Sequence, residues 1–182
     1  MQNPSNSKSI RGFLAFWLTQ SLSQLGSAMT SYALVLWVYE RTGSALSVSL
    51  LTLCTWLPYV AASVFAGGIV DRARKKRLLL LADGVSFLCT ACVAGLLATG
   101  RLEVAHVYAA NALTGLMNAL QSPASAVVSG RLVPREKISR MSGLQSISAS
   151  AVGVAAPMLA AFLLSALGMG AVLAADLAAF VA

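Results

Sequence analysis

Five apolar runs, each longer than the roughly 20 residues an α-helix needs to cross a bilayer, alternate with short charged breaks along this chain. They are Phe13–Tyr39, Ala45–Val70, Leu78–Thr99, Val104–Gly130 and Met141–Leu167. Such a pattern leaves few options. Hydrocarbon offers no partners to backbone N–H and C=O groups, so a spanning segment must satisfy them within itself, as a helix does. A sixth run opens at Met169 and is still apolar at Ala182, short of a full span, so it reads as cut inside a sixth helix. The expectation is an all-α, polytopic membrane bundle over residues 13–182, preceded by a polar tail at residues 1–12.

Composition excludes the main alternatives. Of 182 residues, 58% are hydrophobic and 10% charged, against about 25% charged in soluble domains. Too little polar surface remains to cover a water-facing fold. The net charge of +7 does not mark a nucleic-acid partner, because the cations sit in the short breaks and not along one face. The first run is also too long for the roughly 7–15-residue apolar region of a signal peptide, so it reads as an uncleaved first span. Cys54, Cys89 and Cys92 lie inside apolar runs. An odd count there fits small packing residues better than a disulfide framework or a redox pair. No nucleotide-binding loop, metal-ligand spacing or nucleophile–base pattern is present, so neither a cofactor nor enzymatic chemistry is expected.

The cations set orientation. Eleven of the thirteen lysines and arginines fall in the N-terminus (Lys8, Arg11), the second connection (Arg72, Arg74, Lys75, Lys76, Arg77) and the fourth (Arg131, Arg135, Lys137, Arg140). The first and third connections hold only Arg41 and Arg101, and the fifth holds none. Cytoplasmic loops are enriched in Lys and Arg. The N-terminus and the even connections are therefore expected on the cytoplasmic side of the cell membrane.

Two runs are unusually polar. At 100° per residue, Gln20, Gln24, Ser27 and Ser31 of the first fall within about 60° of one another. In the fourth, Asn111, Thr114, Asn118, Gln121 and Ser125 cover about 80°. Amides facing lipid are costly, so both stripes should face protein or a water-filled cavity. Interhelical hydrogen bonding alone would explain any one of these residues. Two whole stripes, at corresponding places in a three-plus-three arrangement, point to a shared hydrophilic cavity. Asp83 and Asp176 also fall within apolar runs. Each is a candidate proton carrier, and Asp83 is also near enough to the basic second connection to pair with it. Gly67 would allow close helix approach, and Pro58, Pro123 and Pro157 would kink their helices.

The second connection also carries a resemblance. Gly67-x-x-x-Asp71-Arg72 followed by cations resembles the signature loop of the major facilitator superfamily. Gln121-Ser122-Pro123-Ala124, Leu132-Val133-Pro134-Arg135-Glu136 and Met141-Ser142-Gly143-Leu144-Gln145 are similar to the branch of bacterial macrolide and siderophore exporters. The resemblance covers the chain as the first six of the family's usual twelve helices. It implies secondary active efflux of small amphipathic molecules by alternating access, with a C-terminal half as partner. It also implies a conformational latch in which Gly67, Asp71, Arg72, Lys75 and Arg77 form a charge network that breaks as the halves rock. The chain departs from the pattern at Arg74, where a second glycine is usual. Asn111, Thr114 and Gly115 replace the arginine–glutamine–glycine pattern of many proton-coupled members, and Ala156-Pro157 replaces a glycine–proline pair. Coupling would therefore use another group. Two rival readings stand beside the exporter: a truncated, non-transporting membrane protein, and a half-transporter that acts only as a homo-oligomer.

Overall fold

The computed structural model describes the backbone of residues 4–72, 75–132 and 138–181, and the side chains of residues 17–68, 70, 77–123 and 142–180. Among the described residues six helices follow in order: α1 Pro4–Thr42, α2 Ala45–Arg72, α3 Lys75–Ala98, α4 Val104–Leu132, α5 Ile138–Leu167 and α6 Met169–Val181. The all-helical architecture is the one the apolar runs dictate.

The helix ends differ from the sequence reading in one consistent way. Helix α1 begins at Pro4, so residues 4–12 belong to the helix and not to a separate tail. Proline is well suited to a first helical position because its missing N–H would have no intrahelical partner there. Helix α2 runs on to Arg72 and α3 already starts at Lys75, so basic residues of the second connection are drawn into helix ends. Lys and Arg are good helix formers, and their long stems let the charge reach water from a helix that overshoots the hydrocarbon. Apolarity marks the span, but it does not mark where the helix stops.

The two ends of the bundle are built differently. At one end, the connections after α1, α3 and α5 turn on Gly43, Gly100 and Gly168, all at positive φ. Gly168 is the whole of the α5–α6 connection, and its N–H lies 3.1 Å from the carbonyls of both Leu163 and Leu164. At the other end lie the C-terminal ends of α2 and α4 and the N-terminal ends of α3 and α5. A plug of buried apolar residues fills the glycine-turn end, with Trp37, Val38, Leu51, Val107 and Leu173 at its centre. A second cluster, Met29, Ala33, Ala156, Ala160 and Val172, joins α1, α5 and α6 through small side chains.

Unlike a water-soluble bundle, this one carries large apolar side chains on its outer face and some polar ones inside. Leu46, Trp56, Val64 and Phe65 of α2, and Val154, Met158 and Phe162 of α5, point outward and are exposed. The buried set includes Thr30, Ser86, Thr90 and Asp176. Among the described residues, three helices are long and apolar enough to cross a membrane: Ala45–Gly68, Arg77–Ala98 and Ser142–Leu167. The two long helices outside that set, α1 and α4, are those that carry the amide stripes. Gln20 and Gln24 in one, and Asn111, Asn118 and Gln121 in the other, lower their apolarity.

Candidate functional site

Helices α1 and α4 contact each other, and the face each turns inward is its polar one. The two faces border a cavity of about 510 Å³. All eight side chains of the two stripes line it: Gln20, Gln24, Ser27 and Ser31 from α1, and Asn111, Thr114, Asn118 and Gln121 from α4. Asp83 and Asp176 line it as well. Ser125 lies outside the described side chains. Leu34 and Val93 belong both to the cavity wall and to the apolar plug, so the plug closes the glycine-turn end of the chamber.

The wall is held by hydrogen bonds between helices. Asn111 Nδ2 donates to the Val107 carbonyl at 3.0 Å within α4, while its Oδ1 accepts from Thr55 Oγ1 of α2 at 3.2 Å. Tyr108 Oη donates to the Ser47 carbonyl at 2.9 Å, a second tie between the same two helices. Gly115 makes this joint possible: a Cβ there would run into the Thr55 carbonyl. Thr114 turns its hydroxyl back onto the Ala110 carbonyl at 2.9 Å.

The two carboxylates are held in different ways. Asp83 of α3 accepts on Oδ1 from Gln121 Nε2 of α4 at 2.6 Å. Its partner among the described residues is an amide of the cavity wall; the side chains of Arg72, Arg74, Lys75 and Lys76 lie outside the described residues. Asp176 of α6 accepts on Oδ1 from Ser27 Oγ at 3.3 Å and on Oδ2 from Thr90 Oγ1 at 3.2 Å, joining α1, α3 and α6. It is only 1% exposed. Gly26 lets α1 come this close, since a Cβ there would stand 2.8 Å from Asp176 Oδ1 and 3.1 Å from Ala179 Cβ. The buried Thr30 hydroxyl faces the same carboxyl but falls outside hydrogen-bonding geometry and has no partner.

Of the latch residues, Gly67 and Arg77 are exposed, and the side chains of Asp71, Arg72 and Lys75 lie outside the described residues. Among the described residues, nothing stands within 4 Å of where a Gly67 Cβ would be. The close approaches are at Gly26 and Gly115. Several wall residues were not singled out from sequence: Thr30, Thr55, Tyr59, Ser86, Thr90 and Phe180. One signal was available. Asp83, Ser86 and Thr90 fall within about 60° on α3, a third polar stripe.

A hydrogen-bonding chamber inside an apolar-coated helical bundle is suited to passing a solute through lipid. A family model described as Major Facilitator Superfamily matches residues 16–182. The chain belongs to the major facilitator superfamily. Among curated relatives, it is 27% identical over 164 residues to Macrolide efflux protein A of Streptococcus pyogenes. The same identity is found with the protein of that name from Streptococcus pyogenes serotype M6 (strain ATCC BAA-946 / MGAS10394). Each alignment covers 90% of this chain and 40% of the relative, so this major facilitator chain spans about two-fifths of the length of the proteins it matches. No solved structure matches it. Membership makes it a multi-pass membrane transporter chain in general terms.

Proposed function

We propose that this chain is the N-terminal half of a secondary active exporter of small amphipathic molecules, working by alternating access in the cytoplasmic membrane. The observation that carries this reading is the convergence of the two amide stripes, with both carboxylates, on one chamber. A bundle that only needed to sit in lipid would have no use for such a chamber, because every inward amide must be satisfied at a cost in packing. The export direction and the amphipathic substrate class follow the relatives named for macrolide efflux. A C-terminal half would cover the open side of the chamber, and rocking of the halves would expose it to each side in turn. The cation distribution supports a cytoplasmic N-terminus. Asp71, Arg72 and the neighbouring cations would act as the latch between halves, a charge cluster with two stable arrangements. Asp83 and Asp176 are the groups available to carry a coupling proton, in place of the missing arginine of α4.

The test is macrolide efflux from cells making the protein at its full reading-frame length. Gln24→Leu and Asn118→Leu should each cut efflux several-fold at normal membrane abundance, and Asp71→Asn should slow it. Wild-type efflux in both cavity variants would sink the cavity reading. An unchanged rate in Asp71→Asn would remove the latch.

A further inference from the structure

We infer that the chamber is a cleft between two three-helix leaves, which pivot on the apolar plug and are clasped midway by α3 and α6. This half of the transporter would then move within itself, in addition to rocking against a second half.

The helices associate unevenly. Helix α4 packs closely on α2 and α3, and α1 on α5 and α6, whereas packing between these two sets is sparse. Both sets follow one plan, a polar-striped helix flanked by two others. Each set is drawn from both triplets: the first helix of one triplet sits with the second and third helices of the other. Within each leaf a glycine brings the striped helix onto a neighbour. Gly115 of α4 lies against Thr55 of α2, and Gly26 of α1 against Asp176 of α6. Hydrogen bonds follow the same grouping. Thr55 to Asn111, Tyr108 to Ser47 and Gln121 to Asp83 join members of the first leaf. Ser27 to Asp176 joins members of the second. The small-residue cluster of Met29, Ala33, Ala156, Ala160 and Val172 belongs wholly to the second leaf. Close packing and directional bonds make each leaf resist deformation as a unit.

Across the seam the contacts are of another kind. At the glycine-turn end the plug draws on both leaves: Trp37, Val38 and Leu173 from one, Leu51, Val93 and Val107 from the other. Apolar contact is non-directional, so such a plug tolerates a small rotation and serves as a pivot. Beyond the plug, the chamber of about 510 Å³ stands between the leaves. On its α3–α6 side two contacts bridge them. Thr90 Oγ1 donates to Asp176 Oδ2 at 3.2 Å. One turn further from the plug, Phe87 meets Phe180 edge-on, with centroids 6.1 Å apart. One hydrogen bond and one ring pair are few beside the packing inside a leaf, so they can yield while both leaves stay intact. Opening the cleft would enlarge the chamber at the end away from the plug, and closing it would fit the walls to a smaller solute.

The experiment is pulsed electron–electron double resonance on the purified full-length protein, with spin labels at exposed positions in a cysteine-free background. Leu81 of α3 and Ile147 of α5 lie on different leaves, away from the plug. Leu81 and Val64 of α2 lie on one leaf, and Leu46 of α2 and Leu167 of α5 lie on different leaves beside the plug. The first distance should be about twice as broadly distributed as the other two. A first distance no broader than the others in the wild-type protein would overturn the cleft, and this comparison needs no destabilising variant. Thr90→Val and Phe87→Ala should each broaden or lengthen the first distance and leave the other two unchanged. A first distance indifferent to both variants would overturn the clasp. Rocking of a rigid half against a second half changes none of the three distances, so the cleft and the transport reading fail separately.

Discussion

Asp83 and Asp176 occupy matching places in the three-plus-three arrangement, each on the third helix of its triplet, and the chain treats them in opposite ways. The pairing is crosswise. Asp83 of the first triplet takes its hydrogen bond from α4, which opens the second, while Asp176 of the second takes one from α1, which opens the first. Asp176 also reaches α3, lies against the close approach at Gly26 and is sealed. Asp83 lines the chamber with one donor among the described residues, Gln121. Asp176 thus ties three helices together and Asp83 two. Near-equivalent positions differ in how firmly the bundle holds them.

Substitutions that separate stability from transport test this contrast. The largest stability effect is expected for Asp176→Ala, which strips both hydroxyl donors of their acceptor and leaves a void where three helices meet. It should lower stability by about 2–3 kcal/mol, read as a clear fall in melting temperature in detergent. Asp83→Ala should cost about 1 kcal/mol or less while losing transport. If the two acids changed places in that comparison, the contrast would be wrong. Next comes Gly26→Ala, whose new methyl would press on Asp176 and Ala179, at about 1–2 kcal/mol. Relief of that loss by a second substitution, Asp176→Ser, would locate the pressure. The smallest effect is expected for Thr90→Val, about 0.5–1 kcal/mol, because Ser27 still serves the carboxylate. A loss as large as that of Asp176→Ala would mean that Thr90, and not the acid, is the centre of the joint.

Much of this was legible in the sequence because lipid punishes misplaced polarity so heavily. The amides of α1 and α4 had to face inward, and a count at 100° per residue was enough to group Gln20 with Ser31 and Asn111 with Gln121. The third stripe, Asp83, Ser86 and Thr90, was equally periodic but made of smaller groups that hydrophobicity alone does not flag. The partners were less legible. Gln121, 38 positions away along the chain, donates to Asp83, a partner that helix packing and not sequence distance supplies. The same holds for glycine. Gly67 stands in a recognisable loop motif but has no neighbour within 4 Å among the described residues, whereas Gly26, in no motif, and Gly115, at the glycine of the family's fourth-helix pattern, set close joints.

The single-residue connection at Gly168 has a consequence for synthesis. Helices α5 and α6 are joined by a single residue, so they would enter the bilayer as one hairpin, and α6 carries an acid. An aspartate at the centre of a lone inserting helix costs about 2.5–3.5 kcal/mol. Here the apolar α5 travels with it and shares that penalty. Both hydroxyl donors of Asp176 sit on helices made earlier, Ser27 on α1 and Thr90 on α3. By the time the acid reaches the membrane, its binding place has already been built.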